Sequence, residues 1–185
     1  MDSTSHDGVP GSSTPGHRDA GGHDDRVTVL RFPADGVTGR GYPDRVRFGV
    51  LGTLTVVDDD GGQRRLSGPA RRRLLGALVA RAGRVVPLDT LIEDLWADAP
   101  PATAERTLQS HVVRLRDDLG RDDDGSPIIT EPHGYRLNVS PTAVDAWCFE
   151  RDLGAGRQAL ADGDAAGAVA LLDQALSWWR GTAYA

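Results

Sequence analysis

None of the 21 basic residues in this 185-residue chain is a lysine. A GC-rich coding sequence accounts for an all-arginine set of cations before any selection for two-pronged phosphate contacts needs to be invoked. Cysteine is nearly missing too. Cys148 stands alone, which excludes an internal disulfide and a metal site of the usual multi-cysteine spacing. No stretch approaches the roughly 18 consecutive apolar residues of a membrane helix, and the N-terminal segment lacks the apolar centre of a signal peptide. The expectation is an unexported, cytoplasmic protein without membrane contact. The chain also has no phosphate-cradling glycine loop and no HExxH metal pair, since its glycines mark turns and helix ends. Cys148, in the string WCFE, has no adjacent base and reads as a small buried thiol. His6, His17 and His23 lie among aspartates at a spacing that fits no metal site. Enzyme, cofactor and metal roles are therefore not expected.

What remains is ordinary for a soluble globular chain: 39% hydrophobic and 26% charged residues, enough for one domain and part of a second. The net charge of −6 argues against nucleic-acid binding through bulk charge alone. Its distribution matters more. Residues 1–44 carry 4 Arg against 7 Asp, residues 45–139 carry 14 Arg against 14 acids, and residues 140–185 carry 3 Arg against 6 acids. The middle is neutral and the acidity lies in the flanks.

Residues 1–45, rich in Gly, Ser, Pro, Asp and Thr, read as a disordered leader with too little apolar sequence to bury. Because GTG encodes valine and also serves as a bacterial start codon, Val46 is expected to be the native first residue. From there VRFGVLG, LTVV and RRL read as a small antiparallel sheet, with DDDGG as a turn. Gly68-Pro69 opens a helix whose apolar face is Leu74, Leu75, Leu78 and Val79 and which Gly83 ends. After an extended RVVPL, Thr90 and Glu93 have the spacing of a capping box for a short second helix. Pro100-Pro101 cannot continue it. A third helix is expected over 104–119, with Thr103 as its cap and Gly120 as its stop. PIITEPHGYRLNV then reads as a hairpin.

Two more helices, about 144–160 and 165–179, form an antiparallel pair joined at ADGDA. Ala165, Ala168, Val169, Leu172, Ala175, Leu176 and Trp179 fall on one face of the second. So short a segment cannot be stable alone and must dock on something. Trp178 and Trp179 point about 100° apart on a helix and cannot share one partner. The pair is expected to open a longer helical array that is cut at Ala185.

The third helix, TLQSHVVRLRDDLG at its centre, raises the functional question. Leu108, Val112, Leu115 and Leu119 form one narrow stripe. Opposite lie Arg106, Ser110, Val113 and Asp117, with Gln109 and Arg116 on one flank and His111 and Arg114 towards the other. Such a face is either solvated or made to read DNA. Arg suits guanine edges and phosphates, Gln suits adenine, Ser suits either, and an exposed valine can meet a thymine methyl. The order of elements favours the second reading: a short helix, a proline-containing link, a longer Arg-rich helix and a hairpin is the plan of a winged helix-turn-helix. The fold class expected is α+β, this domain spanning 46–139 and a helical hairpin spanning 140–185.

From Val46 to about Ala183 the chain resembles the bacterial antibiotic-pathway activators abbreviated SARP. The resemblance rests on VRFGVLG, LSGPARRRLLGALVARAGRVVPLDTLIEDLW, PPATAERTLQSHVVRLRDDLG and HGYRL, then on FERDLGAGRQALADGD and ALSWWRG. It implies an OmpR/PhoB-type winged helix followed by the first pair of a TPR-like bacterial transcriptional activation domain. It also implies binding to direct repeats in promoter double-stranded DNA, with a dimer on DNA as one arrangement, contact with RNA polymerase, and control of an antibiotic or other secondary-metabolite gene cluster. By position it makes His111, Arg114 and Arg116 contacts to phosphates or bases, and places His133 and Tyr135 of HGYR in the wing near the backbone. Arg106 lies at the entering end of the helix.

Two residues depart from the pattern. Val113 stands where response-regulator relatives are often basic, and Glu131 stands in the wing where many members have Arg. A wing carboxylate should repel phosphate. Other readings stay open: Tyr135 packing its ring on the sheet, a solvated His111, and Arg71, Arg72 and Arg73 either solvated or paired with the aspartates at 58–60. A protein-interaction module that recruits a partner without touching DNA is the competing function.

Overall fold

A computed structural model describes residue 1 and residues 46–120 and 125–185. The leader expected over 1–45 lies outside them, apart from residue 1. Two three-stranded antiparallel sheets bracket three helices. The first joins β1 (Val46–Gly49), β2 (Thr55–Asp58) and β3 (Gln63–Arg64) in that order, with Phe48 opposite Val56. The second has the order β4 (Val85–Pro87), β6 (Gly134–Leu137), β5 (Ile128–Glu131). The stretch RVVPL is thus a third wing strand beside the expected hairpin, with Val86 paired to Tyr135. Gly134 lets it approach, because a Cβ there would be driven into the Val86 carbonyl.

Between the sheets lie α1 (Pro69–Ala80), α2 (Leu88–Trp96) and α3 (Ala104–Leu119). Leu74, Leu75, Leu78 and Val79 of α1, Leu91 and Leu95 of α2, and Leu108, Val112, Leu115 and Leu119 of α3 all enter one core with Phe48, Val50, Ile128 and Leu137. Each buried leucine contributes roughly 1.5–3 kcal/mol, so the α3 stripe is what fixes the helix's rotation and turns its polar side outward.

One expected cap does not form, and the other stands in place without its side-chain bond. α2 starts at Leu88, two residues before Thr90, so Thr90 sits inside the helix and the capping box has no place; the Leu88 amide bonds instead to the His133 carbonyl at 3.0 Å. Thr103 occupies the cap position of α3 without a side-chain cap bond, and its hydroxyl lies 3.4 Å from that of Thr107. Gly120, at φ +83°, does end α3.

After a 3-10 turn (Pro141–Ala143) come α4 (Asp145–Ala161) and α5 (Ala165–Ser177), the latter capped by the Asp164 side chain on the Gly167 amide at 2.9 Å. The pair docks on the first sheet. The Asp145 carboxylate, fully buried, accepts from the amides of Val50 (2.8 and 3.0 Å) and Leu51 (3.1 Å) and from Arg180 Nη2 (2.9 Å). The segment after α5 bonds back through the Arg180 amide to the Leu51 carbonyl (2.7 Å) and the Tyr184 amide to the Val50 carbonyl (2.8 Å). Trp178 is buried against Leu51 and Cys148 with its indole N–H on Asp152 at 2.8 Å, while Trp179 stays exposed and meets the Phe149 ring edge-on at 5.8 Å.

The expected apolar face of α5 divides. Ala168 and Ala175 turn inward, whereas Val169, Leu176 and Trp179 are exposed. Close approach accompanies the division: at Gly156 of α4 a Cβ would come within 2.9 Å of the half-buried Leu172, so α5 meets α4 along Ala168, Leu172 and Ala175. Cys148 is buried as expected, its Sγ 3.6 Å from the Thr142 carbonyl. Its thiol is pushed up to about 11, chiefly by burial. No helix among the described residues is long and apolar enough to cross a membrane.

Candidate nucleic-acid interface

With Leu108, Val112, Leu115 and Leu119 buried, Arg106, Gln109, Ser110, Val113 and Arg114 are exposed together on the outer side of α3. The Ser110 hydroxyl bonds back to the Arg106 carbonyl at 3.0 Å, and Gln109 Nε2 lies 3.4 Å from Glu105 Oε1. Val113 is 48% exposed, the most open large apolar side chain on the helix.

His111 is half-buried, and its Nδ1 has no hydrogen-bond partner among the described residues. Burial, then the charges of Arg114 and Arg71, holds its pKa below the ordinary histidine value. It is therefore a neutral ring at neutral pH and brings hydrogen-bonding capacity without charge.

Neighbouring charges are mostly compensated. Arg71 pairs with Asp118 at 2.7 Å, tying α1 to the end of α3, rather than with the aspartates at 58–60. Asp58 pairs with Arg64, and Arg72 and Arg73 are exposed. One acid at the C-terminal end of α3 is thus already bound to a cation.

In the wing the expected acid has a partner. Glu131, expected to repel phosphate, is paired with Arg136 Nε at 2.8 Å, and Arg136 Nη1 bonds Asn138 Oδ1 at 3.1 Å. An ion pair has no net charge, so the repulsion is largely cancelled. Arg136 was missing from the expected site. The hairpin register places Ile129 opposite Arg136, so Glu131 is its diagonal neighbour on the same face, a signal available once the register is known.

Tyr135 and Arg116 are placed together and inward. Tyr135 is 8% exposed and belongs to the core, which agrees with the packing reading. The Arg116 guanidinium lies 6.0 Å from the centre of its ring and donates to the Ile128 carbonyl and the Thr130 hydroxyl. His133 is exposed at the two-residue wing turn. Between this turn, the start of α2 and the first turns of α3 runs an open groove of about 470 Å³ lined by Asp89, Glu105 and Glu131 together with Gln109 and His133.

A helix held in the core by one stripe, with an open polar face beside a three-stranded wing, defines the winged-helix class of nucleic-acid-binding domains. Residues 62–137 match the family described as "Transcriptional regulatory protein, C terminal", and residues 144–185 match the "Bacterial transcriptional activator domain". Similar curated proteins include the Regulatory protein DnrI of Streptomyces peucetius, 37% identical over 119 residues (60% of this chain, 44% of DnrI), and the Regulatory protein AfsR of Streptomyces griseus, 35% identical over 162 residues (86% of this chain, 16% of AfsR). Among solved structures, Mycobacterium tuberculosis EmbR in complex with a low-affinity phosphopeptide superposes with a TM-score of 0.69 at 34% identity, covering 76% of this chain and 37% of that one. The chain spans less than half the length of these relatives. The two family matches in this order, together with these relatives, support a SARP-type transcriptional regulator.

Proposed function

We propose that residues 46–139 form one domain that binds double-stranded DNA sequence-specifically, with α3 in the major groove of direct-repeat promoter sites. Arg106, Gln109, Ser110, His111, Val113 and Arg114 face the bases and phosphates, and His133 approaches the backbone from the wing. Residues 140–185 are the first helix pair of an activation domain that contacts RNA polymerase, and the output is activation of a secondary-metabolite gene cluster. The observation that carries this reading is the exposure of a mixed Arg, Gln, Ser and Val face on a helix whose opposite face is locked in the core.

Two exposed arginines on each α3, with two chains on a repeat, give four phosphate contacts and a log K against log salt slope of about −4. The test selects a duplex from a random-sequence pool with the full chain and titrates it by mobility shift at several salt concentrations. Arg106→Ala combined with Arg114→Ala should abolish specific binding while the circular dichroism spectrum is retained. No enrichment of any sequence by the unaltered chain would refute the reading.

The alternative, a module that recruits a protein and leaves DNA alone, draws support from the carboxylates Asp89 and Glu105 on the groove beside α3. It predicts that the same double substitution changes nothing on DNA.

A further inference from the structure

We infer that Arg116 is a positioning residue that locks the wing to α3, and not the phosphate or base contact that its place in SHVVRLR suggests. The inference rests on the DNA-binding reading above. Arg116 lies in the last turn of α3, where a cation also complements the partial negative charge of the helix end. Its Nε and Nη2 both donate to the Ile128 carbonyl, at 3.0 and 2.9 Å, and Nη2 also donates to Thr130 Oγ1 at 2.7 Å. The ring of Tyr135 lies beside it, 6.0 Å from centroid to guanidinium carbon.

These partners define a seat for a planar fork. One edge of the guanidinium grips a carbonyl with two N–H groups, a third N–H takes a hydroxyl, and the cation lies near an aromatic ring; an ammonium on a flexible stem cannot do all of this at once. β5 is the edge strand of its sheet, so β6 holds it on one side and Arg116 grips it from α3. The wing turn Pro132-His133 follows directly after β5. The clamp therefore sets the distance between the helix that enters one groove and the wing that meets the neighbouring backbone. Backbone contacts fix register only when that distance matches the duplex.

Arg116→Lys separates the two roles, because a phosphate accepts a point charge whereas this seat needs the fork. In the full chain, Arg116→Lys and Arg116→Gln are compared by mobility shift on the duplex that the unaltered chain selects from a random-sequence pool. Amide hydrogen exchange over 128–131 is followed without DNA. As a clamp, Arg116→Lys weakens specific binding about tenfold, as Arg116→Gln does, and both speed exchange in β5. Thr130→Val shifts both readouts the same way by a smaller factor, and its effect on binding is less than additive with Arg116→Lys. Binding by Arg116→Lys within about twofold of the unaltered chain, with loss confined to Arg116→Gln, would make Arg116 a charge contact and overturn the inference. Unchanged exchange in both variants would overturn it too. If the unaltered chain selects no duplex while exchange still rises in Arg116→Lys, the DNA reading fails and the clamp stands.

Discussion

Asp145 holds the helix pair to the first sheet, and its removal should cost a large share of the stability. In Asp145→Ala the amides of Val50 and Leu51 lose their acceptor, and the Arg180 guanidinium, with only 11% of its side chain exposed, loses its counter-charge. An unsatisfied buried N–H costs about 1–3 kcal/mol. Breaking a buried ion pair from one side costs about 3–5 kcal/mol. These costs overlap, because water that reaches one orphan reaches the others, so the expected loss is about 3–5 kcal/mol rather than the sum. Arg180 retains Thr55 Oγ1 at 3.1 Å, which keeps the loss from rising further.

Against a total stability of about 5–15 kcal/mol this is a large fraction. With a urea dependence of about 2 kcal/mol/M, the midpoint should fall by about 2 M. Tryptophan emission reads it, since Trp178 is buried beside Cys148 and shifts to the red when the helix pair lifts away. Asp145→Asn should recover less than half of the loss: its oxygen still accepts one amide, but its NH₂ adds a donor where donors already converge. Combining Asp145→Ala with Arg180→Met should cost less than the two singles added, because no unpaired charge is left behind. A midpoint for Asp145→Ala within about 0.25 M of the unaltered chain, equivalent to about 0.5 kcal/mol, would refute the reasoning, since that is the size of an ordinary surface substitution.

Gly134→Ala should destabilise the wing by about 3 kcal/mol or more in urea unfolding, because the new methyl meets the Val86 carbonyl and β4 must leave β6. Ala97→Gly should stabilise by about 1 kcal/mol, because Ala97 holds φ +49° and ψ −127° at the end of α2, where glycine alone is unstrained; an unchanged melting temperature would remove strain as an account of that turn. Tyr135→Phe should leave DNA affinity within about twofold, since the ring is core and hydroxyl loss from a well-packed ring costs little there, whereas a tenfold loss would put the hydroxyl on a phosphate. His111 has its folded pKa below its unfolded value, so its contribution to stability is complete above the ordinary histidine pKa and is lost as pH falls through the mildly acidic range. His111→Gln should flatten that part of the stability profile, and a profile unchanged by the substitution would assign the acid sensitivity to other groups.

Periodicity reports that a face needs cover, and it does so reliably where the cover is one continuous core. The stripe Leu108, Val112, Leu115, Leu119 was legible for that reason, and so was the stop at Gly120. It says nothing about which element provides the cover. On α5 the spacing of Val169, Leu176 and Trp179 looked like a buried face, yet Leu172 sits on Gly156 of α4 and the buried positions are Ala168 and Ala175 instead. The partners that matter most here are backbone groups: the Val50 and Leu51 amides that donate to Asp145, the His133 carbonyl that accepts from the start of α2, and the Ile128 carbonyl that accepts from Arg116. Backbone groups are identical at every position and leave no mark in the sequence. Arg114 and Arg116 show the consequence at the site itself. They are the same residue, two apart and so about 160° apart around one helix, on opposite flanks of its polar side, and the wheel gives each a direction but no partner. Only the position of β5 makes one a hook for the wing while the other stays exposed on the open face of α3.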